Sequence, residues 1–215
     1  EIILTKHDLK LESLIPVLNK ELPVFIHANE VRQIESAINW VKHHNLKMVL
    51  VGGKDSWRVT DLLKENKIPV IFTHVMSNPM RRFEDFDQSF KTPQILSQAG
   101  VQFCISNSES SFQTPHIRNL PYHAAKAISY GLSESEGLRS ITLSAAEILG
   151  VSNKVGSLDV GKDATLFITD GNILDIRTQV EQIFIQGKIV DISDRHKSLY
   201  SKYKEKYNQL NRLQE

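Results

Sequence analysis

A short apolar run, Pro23-Val24-Phe25-Ile26, ends in His27-Ala28. Imidazole changes charge near neutral pH and binds metals as the neutral ring, so its surroundings decide its use. At the carboxyl end of a buried parallel strand it stands where α/β barrels carry out their chemistry. Polar groups follow three later apolar runs: Gly52-Gly53-Lys54, then His74, then Ser106-Asn107-Ser108-Glu109. His116, Arg118 and His123 lie just beyond, near the same rim. A guanidinium such as Arg118 grips a carboxylate through two parallel hydrogen bonds. Asn107 offers both a donor and an acceptor. His74, Asn107, Arg118 and His123 are therefore the candidate substrate-pocket residues.

Each has a plainer alternative. A lone histidine does not hold zinc, which takes three or four ligands, and His27 would then simply bond to neighbouring backbone. His74 would bond locally within its loop, and Arg118 would pair with a nearby acid. His43 and His44 are adjacent on a helix and point about 100° apart, so they suit the negative helix end rather than a shared metal. Gly52-Gly53-Lys54 lacks the leading glycine and the ending of a P-loop. Close backbone approach is the better reading of the glycine pair. The serines near 106–111 lack the Gly-x-Ser-x-Gly elbow of a serine nucleophile.

Strands alternating with helices must position these groups. Residues 7–22 read as an amphipathic helix, with Leu11, Leu14, Ile15, Leu18 and Leu22 on one face. Pro16 should kink it or lie in its first turn. Strands are expected at 24–27, 47–51, 69–73 and 101–106. Helices are expected at 30–44, beyond an Asp55 or Ser56 cap, at 93–99, 121–130 and 133–149. A loop of roughly fifteen residues follows the third strand, long enough for a lid or binding loop, or for a structural cover. Near-continuous apolar strands such as Met48-Val49-Leu50-Val51 are those of a parallel sheet covered on both faces. Such a pattern predicts right-handed βαβ crossovers.

After Gly150 the texture changes. Short strands are expected at 164–169, 173–174, 180–185 and 188–190, the last two joined by a tight hairpin at Gln186-Gly187-Lys188. From Ser193 the chain is polar, with Tyr200, Tyr203 and Tyr207 at helical spacing. A terminal helix laid on the surface is expected, and acidic residues in the run count against a membrane-surface element. The chain thus divides into 1–150, 151–192 and 193–215.

Hydrophobic residues make up 40% and charged residues 24%, the composition of an ordinary soluble protein. A net charge of +1 gives no general electrostatic argument for nucleic acid. The single cysteine, Cys104, excludes a disulfide framework within the chain. No apolar run reaches the ~18 residues of a membrane span. The chain opens on Glu1, which suggests a processed, truncated or recombinant fragment and leaves a cytoplasmic or exported location open.

Three stretches carry a family likeness. One is Leu22-Pro23-Val24-Phe25-Ile26-His27-Ala28. Another is Arg118-Asn119-Leu120-Pro121-Tyr122-His123-Ala124, running through Ala127 to Gly131-Leu132-Ser133. The third runs from Ile141 to Gly150 and on through Val155-Gly156-Ser157-Leu158-Asp159-Val160-Gly161-Lys162-Asp163-Ala164. In these the sequence resembles the amidohydrolase superfamily, specifically its imidazolonepropionase-like branch. The likeness covers nearly the whole chain and corresponds to the second half of a member.

The resemblance implies an α/β fold: a partial (β/α)8 barrel of about four parallel βα units, with a small C-terminal β-sandwich portion and a terminal helix. It implies a divalent metal, zinc in most members, in the full-length protein, or none in this chain. That metal lowers the pKa of a bound water. His27 matches the strand-five metal ligand. Gly52-Gly53 stands where many members place a second histidine. Glu109 is the stand-in for the acid–base aspartate after strand eight. The implied activity is hydrolysis of a C–N bond in a cyclic amide, amide or peptide-like small molecule, lost in the isolated fragment. The alternative is a non-catalytic binding or assembly protein with a degenerate metal site. Four strands leave two open sheet edges, so self-association or a missing N-terminal half is expected.

Overall fold

The computed structural model describes residues 8–107 and 111–212. The first of two compact units runs to Lys162 and also takes in Leu174–Ile176. It begins with two one-turn helices, α1 (Leu9–Glu12) and α2 (Ile15–Leu18), in place of one long helix. Proline has no N–H to donate and its ring crowds the preceding turn. Pro16 therefore sits in the first turn of α2, and the helix restarts there. Neither helix buries a residue.

Four βα units follow. They comprise β1 (Val24–Ala28), α3 (Val31–His44), β2 (Met48–Gly52), α4 (Thr60–Glu65), β3 (Val70–Phe72), α5 (Gln88–Ala99) and β4 (Phe103–Ile105), closed by α6 (Leu120–Ser129). The strands are parallel in the order β1-β2-β3-β4. α3 buries Ile34, Ile38 and Val41 on one face, and Asn45 ends it in the left-handed conformation.

Strand alternation splits the sheet into two faces. Met48, Leu50, Val70, Phe72, Phe103 and Ile105 face the helices and form the main core. Val49, Ile71 and Cys104 face the other way, where Ile148 and Ala145 pack on them. Those two belong to α8 (Leu143–Ile148), which follows α7 (Glu134–Ser140). The expected single helix over 133–149 is broken at Ile141-Thr142. The Thr142 hydroxyl donates to the Leu138 carbonyl at 2.7 Å, while its own backbone leaves the helical region.

The second unit holds residues 163–173 and 177–215. Its antiparallel sheet consists of β5 (Leu166–Thr169), β6 (Val180–Ile185) and β7 (Lys188–Val190). Gln186 (φ 50°) and Gly187 (φ 76°) make the tight β6–β7 turn, whose two positive φ values match the twist of the strands. Residues 173–174 are a turn rather than a strand. Side chains brace the backbone on either side of that turn: Asp170 accepts from the Gln179 N–H at 2.8 Å, and the Thr178 hydroxyl donates to the Asn172 carbonyl at 2.6 Å. Helix α9 (Arg195–Arg212) completes the unit.

Candidate functional site at the carboxyl ends of the parallel strands

His27 is the fourth residue of β1 and lies exposed, on the face opposite the main core. Its register row across the sheet reads Val51, Ile71 and Cys104. The strands therefore bring His27 no imidazole or carboxylate from the same level. Burial pushes the Cys104 thiol up to about 12, which makes it an inert packing group.

One step nearer the mouth, Asn29 ties three strand ends together. Its carbonyl accepts from the Asp55 N–H at 2.8 Å. Its Oδ1 lies 2.8 Å from His74 Nε2 and accepts more weakly from the Lys54 N–H at 3.4 Å. An amide oxygen only accepts, so His74 donates through Nε2 and its neutral tautomer leaves Nδ1 unprotonated. Burial first, and the Lys54 charge second, hold the His74 imidazole below its ordinary pKa. Gly52 makes room for this arrangement. Its φ is +92°, and a Cβ there would stand 2.6 Å from Asn29 Oδ1. The space over Gly52 is thus filled by an asparagine that follows the neighbouring strand β1.

The long loop after β3 is strapped down at the same rim. Arg81 forks onto Asp55, with Nη1 to Oδ1 at 2.9 Å and Nη2 to Oδ2 at 2.6 Å, and also pairs with Glu84. Asp55 is 1% exposed and accepts in addition from the Val31 N–H at 3.2 Å. Burial by itself would raise the Asp55 pKa. The Arg81 hydrogen bonds, the Val31 N–H and the nearby guanidinium charges outweigh it and hold the carboxyl below its usual range. Asp55 or Ser56 is the expected cap of the following helix, but the Asp55 side chain makes no capping hydrogen bond there. The carboxylate instead serves the first turn of α3 and the loop after β3. Asp55 and Arg81 are 26 positions apart, and no spacing rule links them. The only signals were an acid just past a strand and an arginine in a long loop.

The remaining candidates are spread out. Asn107 follows β4 and its Nδ2 donates to the Gln113 carbonyl at 3.2 Å. Arg118 is exposed on the 3-10 helix Thr114–Asn119. His123 is buried on α6, where burial lowers its pKa and Nδ1 finds no hydrogen-bond partner among the described residues. Glu109 lies outside the described residues. The structure joins His74 to Asn29, while His27 on β1, Asn107 after β4, Arg118 on the 3-10 helix and His123 on α6 stand on separate elements. A cavity of about 660 Å³ opens at the opposite end of the sheet, beside Lys47, Met48, Ile68 and Gln102. The amino ends of barrel strands are the stability face, so this cavity is not the site.

Among the described residues, no three histidine, cysteine or acidic side chains gather closely enough to hold a metal ion. The row beside His27 is Val51, Ile71 and Cys104, and Asn29 stands over Gly52. The described residues do not by themselves fit a zinc site.

Parallel βα units with polar groups at the carboxyl ends of the strands define an α/β scaffold of the barrel type. The model of the amidohydrolase family matches residues 24–192, and the chain belongs to that family. An amidohydrolase from Thermotoga maritima MSB8 is 28% identical with a TM-score of 0.77, over 87% of this chain and 48% of that one. An adenosine deaminase from Xanthomonas campestris with bound zinc shares the fold at 18% identity and a TM-score of 0.60, over 95% and 55% of the two chains. Amidohydrolase tasK of Hapsidospora irregularis is 33% identical over 72 residues, which is 34% of this chain and 7% of that protein. The chain spans about half the length of these solved structures and a small part of the curated relative.

Proposed function

We propose that this chain is the strand-five-to-eight portion of a metal-dependent amidohydrolase of the imidazolonepropionase-like branch. It acts on a C–N bond of a cyclic amide, amide or peptide-like small molecule. The family match over 24–192 carries this reading. It is supported by His27 at a strand end, on the face turned away from the main core. In this assignment His27 is a metal ligand and Glu109 the acid–base carboxylate. His74, Asn107, Arg118 and His123 line the substrate pocket, and the other ligands come from outside the described residues.

The test is made on the full-length gene product. Metal content is measured for the parent and for His27→Ala, alongside turnover of cyclic amides, N-acyl amino acids and dipeptides followed by amine release. Loss of metal and of turnover together in the variant is the expected result. Equal metal content in both proteins removes the His27 assignment.

One observation favours a second reading, a binding or assembly protein with a degenerate site. Asn29 occupies the space over Gly52, so no side chain can be restored there without displacing it. A metal-free full-length protein that turns over no member of the panel yet binds one of them would establish that reading.

A further inference from the structure

Helix α9 has an arrangement of charge that the hydrolase reading does not use. Its residues Leu199, Tyr200, Tyr203, Tyr207 and Leu210 recur at helical spacing and share one face about 100° wide. All five are exposed, and no residue of the helix is buried. Cations flank this stripe on both sides: Arg195, Lys202 and Lys206 along one edge, Lys197 and Lys204 along the other. His196 lies within the stripe, and the far side carries Ser198, Ser201, Asn208, Gln209 and the sixth cation, Arg212, together with Glu205, the only acid in the helix. Six cations against one acid stand out in a chain whose net charge is +1.

Two kinds of occupant suit an aromatic and aliphatic helix face. A second copy could pair with it as a coiled coil, since His196, Tyr200, Tyr203, Tyr207 and Leu210 alternate four and three residues apart. Lys197 and Lys204 would then border one side of the seam and Lys206 the other, with Glu205 turned away. Like charges along the seam, with no acid to face them, oppose that pairing. The same lysines favour a flat anionic surface. Long side chains beside the stripe reach past it to headgroups while their stems lie on the apolar layer. Tyrosine places its ring at such a boundary and its hydroxyl in water.

We infer that α9 is an interfacial helix that docks the protein on anionic lipid surfaces, with Leu199, Tyr203, Tyr207 and Leu210 turned to the bilayer. Binding rests mainly on the flanking cations and so weakens as salt rises. Acidic residues in the tail looked on sequence grounds like an argument against this. Within the helix there is only Glu205, and it lies away from the stripe.

The test is co-sedimentation of the full chain with vesicles of phosphatidylcholine alone, or of phosphatidylcholine and phosphatidylglycerol in equal parts. Binding to the mixed vesicles only, reversed by high salt, is expected. The Lys202→Glu/Lys204→Glu/Lys206→Glu variant should bind them more than about tenfold more weakly. Tyr203→Ser/Tyr207→Ser should weaken binding without removing its salt dependence. Circular dichroism confirms that each variant keeps its helix content. Equal binding to both vesicle types, or to neither, overturns the inference. So does dimerisation through α9 in sedimentation equilibrium that the triple Lys→Glu variant leaves intact.

Discussion

Asn29 Oδ1 lies 2.8 Å from His74 Nε2, across the end of a strand that belongs to neither residue. β1 delivers the asparagine, β3 delivers the histidine, and Gly52 at the end of β2 leaves the gap in which they meet. The end of this inner strand is thus covered by a hydrogen-bonded pair resting on a glycine.

Restoring a side chain at that glycine should be costly. Gly52→Ala combines a φ of +92° with a Cβ 2.6 Å from Asn29 Oδ1. A loss of about 2–3 kcal/mol is expected in urea unfolding. Adding Asn29→Ala removes the clash and leaves the backbone strain, so the double variant should recover part of the loss. If it recovers nothing, the Asn29 contact is not the reason for the glycine.

The Asp55–Arg81 pair should dominate the acid limb of stability. Asp55 has a folded pKa below its unfolded value near ~3.9, so its contribution is complete above that value. It fades as the pH falls through the folded pKa, because protonation then releases Arg81. Asp55→Asn should cost about 3 kcal/mol at neutral pH and flatten stability below pH ~4, measured by urea titration at several pH values. An unchanged acid limb would show that the pair does not hold the loop.

Histidine titration should act higher on the scale. His74 and His123 both have folded pKa values held below ~6.5, the ordinary value, chiefly by burial. The unfolded chain therefore binds protons first, and stability declines as the pH drops below ~6.5. His74→Gln and His123→Leu should each make the profile shallower between that point and the folded pKa. Parallel profiles for both variants and the parent would refute the assignment.

Cys104 should resist reagents while the protein is folded. Its thiol, pushed up to about 12, carries almost no thiolate at mildly alkaline pH and is 3% exposed. Dithionitrobenzoate should react fully in denaturant and negligibly without it. Rapid reaction in native buffer would contradict the packing around β4.

The hairpin at Gln186-Gly187 and the four parallel strands were legible because they depend on local rules. Positive φ calls for glycine or its tolerant neighbours, and unbroken apolar runs call for strands buried on both faces. The helix over 133–149 was misread because hydrophobic spacing continues through Ile141-Thr142. The break lies in the backbone of Thr142, which leaves the helical region while its hydroxyl turns back onto Leu138. The strand expected at 173–174 failed because local apolar character does not reveal whether a neighbouring edge is free.

For the site, sequence alone determined the family likeness, the histidine at a strand end and the glycine pair at the end of the next strand. These are properties of residue type and order along one chain. Tertiary structure alone decided that Asn29 meets His74 over Gly52, that Asp55 holds Arg81 rather than its own helix, and that the row beside His27 is apolar. Each depends on which strand lies next to which, and on their register. Parallel crossovers set both through packing between residues about 25 to 45 positions apart, a separation over which no local periodicity survives.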